Sequence, residues 1–159
     1  MLGRKFLFPT LFFMEIAGTI ANLLNEKDSQ IWSITPGATV YEAIEFMAAK
    51  NIGALPVLDG QKLLGILSER DYTRKVILKG KSSKGTLVQE IMSKHPATVG
   101  LSDTVGDCMR LMTEKRVRHL PVLKDGDLVG ILSIGDVVKW VISAQTATID
   151  QLTKYIYGE

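Results

Sequence analysis

Shifting the chain by 65 residues lays Ser33–Asp71 over Thr98–Asp136 without a gap, and fourteen of those 39 positions are identical. Chance would give about two, so the chain carries an internal duplication, and whatever it folds into must be built from two similar units. The identities cluster. Leu55-Pro56-Val57-Leu58 returns as Leu120-Pro121-Val122-Leu123, Gly65-Ile66-Leu67-Ser68 as Gly130-Ile131-Leu132-Ser133, and Asp71 as Asp136.

Each copy reads alike. Thr39 with Glu42, and Thr104 with Asp107, form capping-box patterns at a helix start. Behind the first cap, Val40, Ala43, Ile44 and Met47 recur at helical spacing, and Val105, Cys108, Met109 and Met112 repeat that stripe. Two short apolar runs follow, Leu55–Leu58 and Leu63–Leu67 in the first copy, Leu120–Leu123 and Leu128–Leu132 in the second. Turn residues (Asp59-Gly60 and Asp125-Gly126) separate them, which predicts a β-hairpin. Ser68 and Ser133 then cap a second helix, expected over Glu69–Leu78 and Ile134–Ser143. With a brief opening strand at Trp32–Ile34 or Thr98–Val99, each repeat is β-α-β-β-α.

A unit this small cannot bury both faces of its hairpin alone, so the fold class is α+β, two repeats packed with pseudo-two-fold symmetry. Met14–Leu24 reads as an additional amphipathic N-terminal helix, and Gly80–Gly85 as a basic, flexible loop. The expected organisation is an N-terminal tail and helix over 1–25, a first repeat over 26–80, a linker over 81–90, a second repeat over 91–145 and a C-terminal tail over 146–159.

Composition narrows the function classes. Nineteen basic side chains against seventeen acidic give a net charge of +2, too even for a nucleic-acid surface. The apolar stretch Phe6–Phe13 behind Arg4 and Lys5 is interrupted by Pro9 and followed by Glu15. It falls well short of the roughly 20 apolar residues of a membrane span, and it reads as a disordered or partner-docking tail, with Met14 as an alternative start. One cysteine, Cys108, excludes an internal disulfide and fits a reducing compartment, the cytoplasm. Its place on the apolar helical face makes it a buried, inert thiol. No ligand-spaced partner accompanies His95 or His119, so no metal is expected. Gly80-Lys81-Ser82 mimics the end of a P-loop, but Lys75 stands where its first glycine must be.

The sharpest candidate site is the pair Gly65-x-x-Ser68-x-x-Asp71 and Gly130-x-x-Ser133-x-x-Asp136. Each sets a hydroxyl and a carboxylate where a strand becomes a helix, beside free N–H groups that favour an anion. Plain capping accounts for one such corner; its duplication at a fixed offset from the hairpin points to a ligand, with the carboxylate accepting from ribose hydroxyls.

With the Thr-Val helix starts and the strands Ala54-Leu55-Pro56-Val57 and His119-Leu120-Pro121-Val122, these corners resemble the cystathionine-β-synthase (CBS) domain. The resemblance covers about Trp32–Asp71 and Ala97–Asp136 and the helices after them. It implies a non-catalytic regulatory module, commonly a homodimer, whose two clefts take adenosine ligands: AMP, ATP or NAD(H), with ADP and S-adenosylmethionine also known in the family. By resemblance, one cleft uses Trp32, Ile52, Gly53, Ala54 and Pro56 around the base, Ser133 and Asp136 for the ribose, and Arg118 and His119 for the phosphates. The other uses Ala97, Thr98, Val117 and Pro121 for the base, with Ser68, Arg70 and Asp71 for ribose and phosphate. Gly135 stands where the first repeat has Arg70, so the clefts are expected to differ. A partner in trans would read the ligand state. The competing readings are a protein-interaction scaffold with vestigial clefts and a nucleotide-processing enzyme, the latter without a visible nucleophile–base pair.

Overall fold

In a computed structural model, residues 16–28 and 30–157 are described. The described elements are α1 (Ile20–Glu26), α2 (Val40–Lys50), β1 (Ala54–Asp59), β2 (Lys62–Ser68), α3 (Glu69–Lys75), α4 (Val88–Ile91), β3 (Ser93–Lys94), β4 (Val99–Gly100), α5 (Val105–Lys115), β5 (His119–Lys124), β6 (Asp127–Ser133) and α6 (Ile134–Tyr157). They form two three-stranded sheets, ordered β1-β2-β3 and β4-β5-β6. The class is α+β, with the α-β-β-α succession present twice.

The chain divides into two compact units. One comprises Met1–Ser29, Val99–Leu120 and Leu132–Glu159, the other Gln30–Thr98 and Pro121–Ile131. In the second unit, α2 begins at a closed capping box: Thr39 N–H donates to Glu42 Oε2 at 2.7 Å, and Glu42 N–H returns to Thr39 Oγ1 at 3.2 Å. Val40, Ala43 and Met47 of its apolar stripe are buried against Leu55, Val57 and Leu67 of the hairpin. Each fully buried Val, Leu or Met side chain among these contributes roughly 1.5–3 kcal/mol. In the first unit α5 repeats this arrangement, burying Val105, Cys108 and Met112.

Both helices stop the same way. Asn51 and Arg116 adopt left-handed backbone with φ of 53°, and the next amides, Ile52 and Val117, reach back to Met47 and Met112 carbonyls at 3.0 Å. This six-to-one closure is a Schellman-type end, here without glycine.

The hairpins differ in their turns. Asp59 pairs with Lys62 as the last rung of β1–β2, so the turn is Gly60-Gln61 rather than Asp59-Gly60. Gly60 has φ of 60° at the first turn position, the demand of a type II′ turn, whereas Asp125 and Gly126 both have positive φ, as type I′ requires.

Several expectations need correction. The N-terminal helix starts at Ile20, not Met14, because Thr19 is its cap and accepts from Asn22 N–H at 3.3 Å; Met14 itself lies outside the described residues. The opening strand at Trp32–Ile34 reduces to a bridge, with Ile34 N–H bonding the Pro56 carbonyl and Leu58 N–H the Ile34 carbonyl, both at 3.0 Å. Its counterpart, expected at Thr98–Val99, is Val99–Gly100. The helix expected over Glu69–Leu78 breaks at Val76 into α3 and a short 3-10 turn, Ile77–Lys79. The helix expected to end at Ser143 runs on to Tyr157.

The linker is also more structured than its composition suggests. Thr86 and Ser83 carbonyls accept from Val40 and Tyr41 N–H at 2.9 and 3.0 Å, satisfying the start of α2. Val88 and Gln89 amides, opening α4, bond the Ala38 and Pro36 carbonyls at 2.9 and 3.1 Å. Ile20 and Ala21 amides, opening α1, bond the equivalent Asp103 and Leu101 carbonyls at 2.8 and 3.0 Å. The N-terminal helix is therefore the counterpart of α4, docked on the second repeat as α4 docks on the first.

Candidate functional site

Both Ser-x-x-Asp corners are closed capping boxes. Ser68 N–H and Oγ–H donate to Asp71 Oδ2 at 3.0 and 2.9 Å, and Asp71 N–H returns to Ser68 Oγ at 3.2 Å. Ser133 N–H and Oγ–H donate to Asp136 Oδ2 at 2.7 and 2.9 Å, with the return bond at 3.2 Å. The residues before the preceding strands are tied to the same corners: Glu69 N–H donates to the Gly53 carbonyl at 3.1 Å, and Ile134 N–H to the Arg118 carbonyl at 2.8 Å. The Arg118 main chain is thereby held at the start of the helix that Ser133 caps, with His119 next in the chain.

The two carboxylates have different further partners. Asp71 is buried at 9% exposure; its Oδ1 takes Lys75 Nζ at 2.8 Å and Ser93 Oγ–H at 3.2 Å. Asp136 is half-buried, and its Oδ2 takes Lys27 Nζ at 2.6 Å. Burial works to raise the Asp136 pKa, but the Lys27 hydrogen bond, the Ser133 amide and hydroxyl and the Lys27 charge outweigh it and hold the carboxyl below its ordinary value. His119 is depressed, first by burial and then by the Lys27 charge, with Arg118 adding and Asp136 opposing. One unit thus gathers Lys27, Arg118, His119, Ser133 and Asp136 into one electrostatic cluster, with Arg118 exposed and His119 half-buried.

The remaining expected residues lie as follows. Trp32 packs against the core of its unit, edge-on to Phe46 at 5.6 Å between centroids, with Lys50 Nζ 4.0 Å from its ring centre. Ala54 and Pro56 are buried in β1, while Ile52 and Gly53 are half-buried just before it. Ala97 is half-buried and Thr98 exposed ahead of β4; Val117 is half-buried before β5, and Pro121 is buried within it. Arg70 is exposed on the first turn of α3, one residue before Asp71. Trp32, Ile52, Gly53, Ala54 and Pro56 belong to one compact unit, and Arg118, His119, Ser133 and Asp136 to the other. In the second set, Ala97, Thr98, Pro121, Ser68, Arg70 and Asp71 share a unit, while Val117 belongs to the other. A cavity of about 670 Å³ lies beside Phe46, lined by Ile34, Ala38, Glu45 and Ala49 among others, and includes none of these residues.

Sequence reasoning missed Lys27, Lys75, Ser93 and Lys50. Lys75 was legible as the i+4 cation of Asp71 on a helix. Lys27 is 109 residues from Asp136, and no local pattern joins them. Among the described residues no His, Cys, Asp and Glu group is arranged to hold a metal ion, and no helix is long and apolar enough to cross a membrane.

The sequence and fold have known counterparts. The chain is similar to the mitochondrial CBS domain-containing protein CBSX3 of Arabidopsis thaliana, 41% identical over 150 residues, covering 88% of this chain and 72% of that one. It is similar to the solved structure of a putative signal-transduction protein with CBS domains from Burkholderia ambifaria MC40-6, at 50% identity and TM-score 0.78, covering 80% of this chain and 96% of that one. A third likeness is to CBSX2 solved in complex with AMP, at 27% identity and TM-score 0.68, covering 81% of this chain and 99% of that one. The family model described as CBS domain matches residues 27–77 and 88–143, one match for each repeat, and the chain belongs to the CBS-domain family as a tandem pair.

Proposed function

We propose that the chain is a non-catalytic regulatory module that binds an adenine nucleotide (AMP, ATP or NAD(H)) and signals its presence to a protein partner. The observation that carries this reading is the Ser133–Asp136 corner with the Arg118 main chain held beside it. The carboxylate is suited to ribose hydroxyls, and Arg118, whose carbonyl accepts from Ile134 N–H at that helix start, brings a guanidinium suited to phosphate. The family membership and the AMP complex of CBSX2 support it. The family pattern supplies the base-side residues Trp32, Ile52, Gly53, Ala54 and Pro56 for this site. For a second it supplies Ala97, Thr98, Val117 and Pro121, with Ser68, Arg70 and Asp71.

The two sites are unequal. Asp71 is buried and holds Lys75 and Ser93 on the oxygen that its cap leaves over. Asp136 is more exposed and holds a single lysine besides its cap. The Asp136 site is therefore the principal one, and Asp71 serves first to fix α3 and β3. The reducing compartment that Cys108 suits is the cytoplasm; the relative CBSX3 is named as mitochondrial.

Calorimetry of the nucleotide-free protein with AMP, ATP and NADH tests the reading. Losing a charge-assisted hydrogen bond costs about 1.5–3 kcal/mol, so Asp136→Ala should weaken the preferred ligand roughly tenfold or more. Unchanged affinity in both Asp136→Ala and Asp71→Ala would remove the site and leave the scaffold reading.

A further inference from the structure

Helix α6 extends beyond the residues that the family model matches, which end at 143, and continues to Tyr157. Its first part is anchored in its own unit: Val137 is buried, and Trp140 Nε1–H donates to the Ala17 carbonyl at 2.9 Å. Beyond that anchor the apolar side chains are open, from Ile142 at 58% exposure through Ile149 at 62% to Ile156 at 71%.

These residues have a period. Ile142, Ile149 and Ile156 recur every seven positions, and Val138, Gln145 and Leu152 each stand four positions before one of them. That is an a/d heptad seam, with Ile at every a and Val, Gln and Leu at d. A helix segment of about this length is marginal in water by itself, so such a face implies cover.

We infer that this seam pairs with the same seam of a second copy of the chain as a parallel, two-stranded coiled coil. Ile at a with Leu at d, the arrangement that Ile149 and Ile156 make with Leu152, favours that geometry, and Gln145 at a d position would meet its own counterpart only in register. The flanking positions Thr146, Thr148 and Thr153 are uncharged, so bringing two copies together opposes no like charges along the extension. The area suffices. Six seam residues with roughly 100 Å² each left to bury give about 600 Å² per copy and about 1,200 Å² for the pair, the lower end of specific interfaces. The pairing does not depend on nucleotide binding.

The test is disulfide trapping in the full chain. Cys108 is fully buried and needs no replacement. Leu152→Cys and Ile149→Cys, on the seam, should convert to disulfide-linked dimers under mild oxidation, at least about tenfold faster than Lys154→Cys on the outward face. Equal rates at 152 and 154, or no linkage at either 149 or 152, would overturn the pairing. So would linkage at 152 that appears only after removal of residues 1–13, because the stripe would then be covered by the chain's own apolar Phe6–Phe13.

Discussion

The Nζ of Lys27 lies 2.6 Å from Oδ2 of Asp136, the same oxygen that accepts both Ser133 hydrogen bonds. An ammonium thus rests where the proposed ribose hydroxyls would donate, and the segment leaving α1 is tethered to the first turn of α6. On the proposed function, a ribose hydroxyl that donates to this oxygen competes with Lys27, so ligand binding would be coupled to release of the tether.

Lys27→Met removes that competitor. Both side chains are partly solvated, so the pair contributes at most about 1 kcal/mol, and the melting temperature should fall only slightly. Adenosine, which carries no phosphate to recruit the lysine, should bind up to about fivefold more tightly. Titrating adenosine into both proteins decides it, since weaker binding to Lys27→Met would assign the lysine to the ligand instead.

His119 gives the cluster a pH dependence. Its pKa in the fold lies below 6.5, first through burial and then through Lys27. The unfolded chain therefore binds the proton more readily, and stability is full above pH 6.5 and declines as pH falls from there towards the folded value. Asp136, depressed from 3.8, acts in a separate and more acidic window: its stabilisation is present above pH 3.8 and is lost as pH falls below. Urea midpoints between pH 7.5 and pH 5 should decline for the native chain, and His119→Gln should flatten the decline. An equal slope in that variant would place the titration elsewhere.

The duplication made most of the fold legible, because capping boxes, hairpins and the Ser-x-x-Asp corners are local signals repeated at one offset. What it hid was non-local. Val88–Ile91 is too short to show a helical period, and its likeness to α1 emerges only from the shared Pro36/Leu101 and Ala38/Asp103 carbonyls. Asn51 and Arg116 end their helices in left-handed backbone, where sequence rules look for glycine. The continuation of α6 was readable in the sevenfold spacing of Ile142, Ile149 and Ile156, a period outside the repeat and so outside the comparison of the chain with itself. For the site, the corners were legible, but the partners of their carboxylates were not, since Lys27 and Ser93 arrive from distant segments.

Cys108 should be chemically silent in the native state. Burial, with a smaller contribution from the Asp103 charge, pushes its thiol up to about 12. The thiolate is the reactive form, so at pH 8 it is present at about one part in ten thousand. Iodoacetamide should leave the folded protein unlabelled at that pH and modify it fully in denaturant. Rapid native labelling would show that α5 opens locally.

Gly18 carries the N-terminal segment across Trp140. Its φ is 109°, a backbone that only glycine adopts without strain, and a Cβ placed there would lie 2.4 Å from Trp140 Cζ2. Gly18→Ala must therefore shift either the indole or residues 17–19, the two sides of the hydrogen bond from Trp140 Nε1–H to the Ala17 carbonyl. Clash and strained backbone together should cost about 1–3 kcal/mol. The Thr19 cap lies next in the chain, so the shift should loosen α1 and with it the approach of Lys27 to Asp136. The measurement is a melting temperature together with tryptophan fluorescence in a Trp32→Phe background, where Trp140 is the sole emitter. A lowered melting temperature and a red-shifted maximum are expected, whereas an unchanged spectrum would show that Trp140 does not bear on Gly18.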